Sequence, residues 1–402
     1  MKGITDRSKL FGSHGHMVEV RGWLRRSAFL ALILALAGLL LGPVVARHAR
    51  AGALLKQALG MDNGEGLADW VLRPVNTRMT SGLEAWGVSR VRLYSPEEGR
   101  GLPGLVLIHG VHAQGIEEVT FCRFARAMSA AGVVVQTPEL VELTRHRIRP
   151  TTVRAIGASA SQLARELGRS QVGVMGISFG GGLALLAAAD PDMGRAIGVV
   201  VTLGAHHDLL RLAAHYAGET TRSPAGEVHR GPPKRFGLLT MFHAYAEQFF
   251  EAEEQARAQR ALAAALRGMR NEANAIGSSL SPQGQQVLSV MLGDPVKAGR
   301  LLMDGVQRNQ AALRALSPSG KLSGLPAATF LLHGADDPVI PAVETQWLKR
   351  EVPAAALQEA LVTTALSHTD RRGLGAKARD PEAVWRLVSF TAHVLGELEK
   401  LE

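Results

Sequence analysis

With 402 residues, of which 46% are hydrophobic and 20% charged, the chain can hold one large globular domain plus a sizeable insertion, and it is too apolar for a disordered or fibrous protein. Its one cysteine, Cys122, excludes an internal disulfide and a cysteine-based metal cluster, and reads as a small buried hydrophobe on a helix. The formal charge of +9 would suit nucleic acid, but residues 1–60 hold nine Lys/Arg against Asp6 and Glu19, so little positive charge is left elsewhere and no nucleic-acid footprint is expected.

Residues 1–26 form a basic N-terminus. Ser27 to Ala46 then run twenty residues without a charge; as a helix they would span about 30 Å, the thickness of a bilayer's hydrocarbon core. Arg25 and Arg26 precede this stretch and Arg47 and Arg50 follow it, so residues 27–46 are expected to be a transmembrane anchor. The competing reading is a cleavable signal peptide ending near Val44-Val45-Ala46, which would leave a secreted protein. Six Lys/Arg before the span against three soon after it place residues 1–26 in the cytoplasm and the rest outside it. Ala31, Ala35, Gly38 and Gly42 line one helix face, and Gly38-Leu-Leu-Leu-Gly42 fits a small-xxx-small pairing motif, which raises the expectation of a homodimer through this helix.

Residues 47–84 read as a polar, partly helical linker. From residue 85 to 207 short apolar runs alternate with helical stretches. Gly87 to Tyr94 alternates as a half-buried edge strand would, and Leu105 to Ile108 is a continuous apolar run, as in a strand covered on both faces. A helix from about Val119 to Ala131 leads to a strand at Val133–Gln136, and a second helix from about Thr151 to Leu167 leads to another at Val172–Ile177. Leu183 to Asp190 has strong helix propensity, and Ile197 to Leu203 is again strand. Strands and helices in this alternation predict an α/β fold, a mostly parallel, doubly wound sheet with helices on both faces.

The alternation stops over residues 208–323, which hold helical patterns around Phe242–Met269 and Ser281–Leu316 and a loop over Thr221–Gly237. A structureless connection of that length is implausible, so this stretch is expected to be a helical cap inserted into the sheet domain. The sheet pattern returns over residues 324–402, with a strand at Ala328–Gly334, helix at Gln346–Arg350, a last strand near Gln358–Thr364 and a closing helix from about Pro381 to Lys400.

Chemistry enters at Gly176-Ile-Ser178-Phe-Gly180, a match to the Gly-x-Ser-x-Gly nucleophile elbow. A chain this rich in glycine would show the bare pattern roughly 0.2–0.3 times by chance, and a structural serine in a glycine turn is the plain alternative. The strand before it and the helix after it are what give the match weight, since the motif needs both. A serine hydroxyl attacks only when a base removes its proton and a carboxylate orients that base. In an open parallel sheet these partners sit just past the carboxyl ends of strands. Two segments qualify: His333-Gly-Ala-Asp336-Asp337-Pro-Val-Ile340-Pro341, and Ser367-His368-Thr369.

With these residues together, residues 85–400 resemble the α/β-hydrolase family. His333 to Pro341 is similar to the family's His-Gly-x-x-Asp-x-x-Val-Pro segment with Ile340 in the valine place, and that register implies Asp337, over Asp336, as the catalytic acid. The family's chain order of serine, acid and histidine is matched by Ser178, Asp337 and His368. His109-Gly110-Val111 resembles the family's oxyanion segment, which implies the backbone amides of Val111 and Phe179 as oxyanion donors. Ser178 sets the chain apart from the halide-displacing branch, which uses Asp at the elbow.

Other polar residues have plainer readings. Asp208 is a reserve position for the acid, His112 and His393 read as loop or helix-surface histidines, and His333 as a local packing or bonding group. His206-His207-Asp208 could suggest metal ligands, but adjacent side chains point apart, and no metal or cofactor is expected. The resemblance implies a serine hydrolase, carboxylesterase- or lipase-like, that cleaves an ester or related acyl bond of a small-molecule or lipid-like substrate through an acyl-enzyme. The alternatives are an acyltransferase on the same fold and a catalytically silent, membrane-tethered binding module.

Overall fold

The computed structural model describes residues 41–61, 70–97, 101–366 and 380–401. Two compact units divide the chain, Met1–Ala49 and Arg50–Glu402. In the first, residues 41–49 are helical, and residues 1–40 lie outside the described residues, with most of the expected membrane span among them. Among the described residues no helix is long and apolar enough to cross a membrane.

The second unit starts with helix α1 (residues 50–58), which buries Ala51, Leu54 and Ala58 at helical spacing. Two strands follow, β1 (Val75–Ser81) and β2 (Val88–Pro96). Then come β3 (Gly104–Ile108), α2 (Val119–Ala130), β4 (Val134–Leu140), α3 (Val141–Thr144), α4 (Pro150–Leu167), β5 (Val172–Ile177), α5 (Phe179–Ala189) and β6 (Ile197–Leu203). The insertion follows: α6 (Leu209–Ala217), a small ribbon of β7 (Thr221–Arg222) and β8 (Val228–His229), then α7 (Arg235–Ala244), α8 (Gln255–Leu266), α9 (Arg270–Gly277), α10 (Pro282–Gly293), α11 (Pro295–Arg308) and α12 (Gln310–Ala315). The chain returns through β9 (Ala328–Gly334), α13 (Val343–Glu351), β10 (Leu357–Thr363) and α14 (Pro381–Glu399).

Eight strands form one sheet in the order β1-β2-β4-β3-β5-β6-β9-β10. From β4 to β10 every pairing is parallel, while β2 runs antiparallel to both β1 and β4. Successive side chains of a strand point to opposite faces, so each run of apolar residues feeds two cores. Val106, Ile108, Val174, Val200 and Leu331 face one core with Ile156, Leu163 and Leu183 from α4 and α5. Leu105, Leu107, Met175, Val201 and Phe330 face the other with Leu54, Phe121, Met128 and Phe390 from α1, α2 and α14. This covering on both sides is why the central strands read as unbroken apolar runs.

Three details differ from the sequence reading. The stretch read as linker supplies β1, so β2 is an interior strand and β1 the edge. Nearly all of β1 is exposed, and its seven residues pair with β2 through backbone bonds, so apolar periodicity gave no sign of it. The loop expected over residues 221–237 contains the β7–β8 ribbon. Cys122 is only partly buried; its thiol donates to the Ile116 carbonyl at 3.0 Å and accepts from Arg92 at 3.2 Å.

One buried ion cluster joins the insertion to the sheet domain. Glu344 on α13, its side chain 1% exposed, takes two hydrogen bonds from the Arg211 guanidinium of α6, at 2.8 and 3.0 Å. The same carboxylate accepts from the backbone amides of His207 (2.8 Å) and Asp208 (2.9 Å), where the insertion begins. His207 donates through Nε2 to Glu351 at 2.5 Å and accepts at Nδ1 from Arg211 at 3.0 Å. Four hydrogen bonds from Arg211 and the two amides offset the cost of burying the Glu344 carboxylate.

Candidate active site

Strand order reverses at β3: β4 lies on one side of it and β5 on the other. Such a switch point opens a crevice at the carboxyl ends of the two diverging strands. Ser178 stands there, directly after β5, with φ 56° and ψ −128°. Only Ser178 and His146 among the described non-glycine residues have positive φ. A serine holds that conformation only where its surroundings impose it. Here they do: a methyl group on Gly176 would lie 2.3 Å from the Gly180 carbonyl oxygen, and one on Gly180 would lie 2.8 Å from that of His109. Strand and helix therefore approach closely at these two glycines.

The elbow is tied to β6 and to its own helix. The Ser178 amide donates to the Leu203 carbonyl of β6 at 2.7 Å, and its own carbonyl accepts from Gly181 at 2.9 Å. Its side chain is covered, with the residue 6% exposed. Phe179 begins α5, so the helix offers its amide no acceptor. On the β3 side, a methyl group on Gly110 would be 3.3 Å from Ser178 Cβ and 3.9 Å from its Oγ. The structure thus brings Ser178 and Phe179 together with the His109-Gly110-Val111 segment.

His109 organises that segment from beneath. It is 2% exposed, its Nε2 accepts from the Leu140 amide at 3.2 Å, and its Nδ1 donates to the Gly110 carbonyl at 2.8 Å. Burial, against the weaker pull of its bond to Gly110, lowers its pKa from 6.5 to about 4, so the ring is neutral at pH 7.

Asp337 follows β9 with its side chain 2% exposed. Its Oδ1 accepts from the amides of Val339 (2.8 Å) and Ile340 (3.0 Å), and its Oδ2 lies 3.6 Å from His333 Nε2. Asp336, its neighbour, is exposed. His333 is fully buried and serves the loop: Nε2 donates to the Ile340 carbonyl at 2.8 Å while Nδ1 accepts from the Thr345 hydroxyl at 2.6 Å. The expected base, His368, lies outside the described residues together with Ser367 and Thr369.

The remaining candidates have other employment. Asp208 caps α6, accepting from the amides of Leu210 and Arg211. His206 donates through Nε2 to the Leu316 carbonyl at 3.1 Å and packs on Phe179, ring centroids 5.5 Å apart, while His207 belongs to the Glu344 cluster. His112 is an exposed loop residue whose Nδ1 accepts from the Gln114 amide at 3.3 Å, and His393 pairs with Glu359 at 2.8 Å on the surface. Sequence reasoning missed Tyr216 on α6, fully buried, whose hydroxyl meets no partner among the described residues and whose ionisation is pushed well upward by burial and then by Asp337. It also missed His146 and His243, 97 positions apart; nothing local to either residue announces their meeting.

No family model and no curated protein matches the chain. Among solved structures it is distantly similar to brefeldin A esterase, described as a bacterial homologue of human hormone-sensitive lipase: 17% identity, 89% of this chain and 87% of that one, TM-score 0.46. It is similar to an esterase of Pyrobaculum calidifontis at 16% identity, over 87% of this chain and 90% of that one, TM-score 0.43. A third likeness is to 2-hydroxy-6-oxo-6-phenylhexa-2,4-dienoate hydrolase of a Rhodococcus strain, at 14% identity over 73% and 92% of the two chains, TM-score 0.38.

Proposed function

We propose that the chain is a serine hydrolase of the α/β-hydrolase type that cleaves an ester or related acyl bond. The observation that carries this reading is Ser178, held at φ 56° past the carboxyl end of β5 and facing Gly110 across the switch point. A structural serine has no need of a left-handed backbone, whereas a nucleophile lifted off a strand does.

In this reading Ser178 Oγ attacks the acyl carbon and His368 removes its proton, then passes it to the leaving group. Asp337 holds His368 in the required tautomer, and the amides of Val111 and Phe179 donate to the oxygen that becomes negative. Water then discharges the acyl-enzyme. Support for Asp337 comes from its place: β9 is two strands from β5, roughly 10 Å at ordinary strand spacing, which leaves room for one imidazole between carboxylate and serine. Residues 27–46 tether this enzyme to a membrane, with the hydrolase domain outside the cytoplasm.

A fluorophosphonate probe should label Ser178, and Ser178→Ala should lower turnover of short p-nitrophenyl esters by about 10³-fold or more. Asp337→Asn and His368→Ala should each lose activity of similar order. Wild-type turnover by Ser178→Ala would overturn the reading. Retention of the full chain in the membrane pellet after carbonate washing, and its release on deletion of residues 1–49, tests the tether.

A further inference from the structure

On the β4 side of Ser178 lies a group of nitrogen-bearing side chains that the proposed hydrolysis does not use. His146 sits in the turn after α3, and its backbone, like that of Ser178, is left-handed, with φ 56°. The insertion lays His243 of α7 against it, ring centroids 4.8 Å apart and planes at 55°. His243 is 6% exposed, and its Nδ1 is buried without a hydrogen-bond partner among the described residues. Beside them, Arg147 donates to Gln259 Oε1 on α8 at 3.1 Å, while its Nε is also buried without a partner among the described residues. Gln259 in turn donates to the His243 carbonyl at 3.3 Å, which holds the guanidinium close to α7.

No carboxylate compensates this group. Among the described residues Arg147, His146 and His243 form no ion pair with an acid, Glu142 of α3 included. After burial, the charged or titratable groups acting on His146 are His112 and Arg267, and those acting on His243 are His146 and Arg147, opposed on His243 by a weaker hydrogen bond to the His146 backbone. Burial and these neighbours lower both rings to about 4. A partly buried guanidinium with an idle N–H, next to an imidazole with an idle nitrogen, is an unfavourable arrangement that an anion would relieve.

We infer that Arg147, His146 and His243 receive a carboxylate carried by the substrate, set apart from the bond that is cleaved. This assignment rests on the reading of Ser178 as nucleophile. The loop after Val111 packs on the turn that holds His146, since a methyl group on Gly115 would lie 2.6 Å from Thr144 Cγ2, so the carboxylate would lie on the oxyanion-segment side of Ser178. The substrate class is then an ester whose acyl chain ends in a carboxylate. Arg147 supplies the charge that selects an anion over a neutral acceptor, and the imidazoles supply directed N–H groups in a water-poor wall.

The test has a kinetic and a binding arm. Mono-p-nitrophenyl esters of linear dicarboxylic acids, from succinate to sebacate, are compared with their methyl-capped counterparts. The wild type should favour the free acid over the capped ester in kcat/KM by about tenfold or more at the longer chain lengths, as a charge-assisted hydrogen bond allows. Arg147→Gln should bring that ratio close to one, and His243→Phe should reduce it. Independently of turnover, calorimetry should detect suberate binding to the wild type, weakened about tenfold or more in Arg147→Gln. A wild type that prefers the capped esters, or shows no suberate binding, overturns the assignment even if neither variant folds. Binding of suberate without hydrolysis of any ester would sustain the carboxylate site and defeat the reading of Ser178.

Discussion

The Leu140 amide donates to Nε2 of His109 at 3.2 Å, and this bond decides which ring nitrogen keeps its proton. With Nε2 acting as acceptor, Nδ1 carries the hydrogen and donates to the Gly110 carbonyl at 2.8 Å. A backbone amide of β4 thereby orients the loop that faces Ser178.

His109→Asn, too short to span from Leu140 to Gly110, should lower kcat on short esters by about tenfold to a hundredfold with little change in KM, because a small displacement of the oxyanion segment affects the transition state most. His109→Gln should recover part of the loss. Equal kcat in the wild type and His109→Asn would show that the ring has no part in placing that segment.

Gly176→Ala places a methyl group 2.3 Å from the Gly180 carbonyl oxygen, a backbone atom that cannot swing aside. The helix must shift, and overpacking of this kind destabilises by about 1–3 kcal/mol or more. Urea denaturation should register that loss together with reduced fluorophosphonate labelling of Ser178. An unchanged unfolding midpoint would contradict the close packing of β5 on α5.

Acid should destabilise the sheet domain through its buried imidazoles. His109 and His206 are each lowered to about 4 by burial, so between pH 6.5 and 4 the unfolded chain binds more protons than the folded one. Stability from this source is complete above pH 6.5 and is lost as pH falls through about 4, at roughly 3 kcal/mol for each ring. Urea midpoints measured from pH 7.5 to 4.5 should fall for the wild type and fall less steeply for His109→Gln. Parallel slopes for the two proteins would rule out His109 as a contributor.

Glu344→Ala removes the acceptor that Arg211 and two backbone amides share, leaving a mostly buried guanidinium unpaired. The expected loss is about 3–5 kcal/mol. The double variant Arg211→Met/Glu344→Leu should recover much of it, since paired apolar replacements leave no orphan charge. Limited proteolysis within residues 208–323 should quicken in Glu344→Ala; a cleavage pattern identical to the wild type would mean that the cluster does not secure the insertion.

The amino-acid sequence alone determined the features whose causes lie within a few residues of each other. The parallel strands were legible because each feeds two cores and so reads as an apolar run, and the turn at Ser178 because Gly176 and Gly180 are the small residues that a strand-to-helix approach demands. Asp337 was marked only by the resemblance of His333 to Pro341 to a family segment, and the insertion by the long loss of strand pattern. β1 was not, since its exposed side chains follow no period and its stability comes from backbone pairing with β2. Tertiary structure alone decided the tautomer of His109, the closure of Glu344 on Arg211 133 positions away, and the meeting of His146 with His243. Each of these joins groups far apart in the chain, and whether a polar side chain ends up bonded, charged or unpaired depends on what folding brings beside it, which no local pattern of residues encodes.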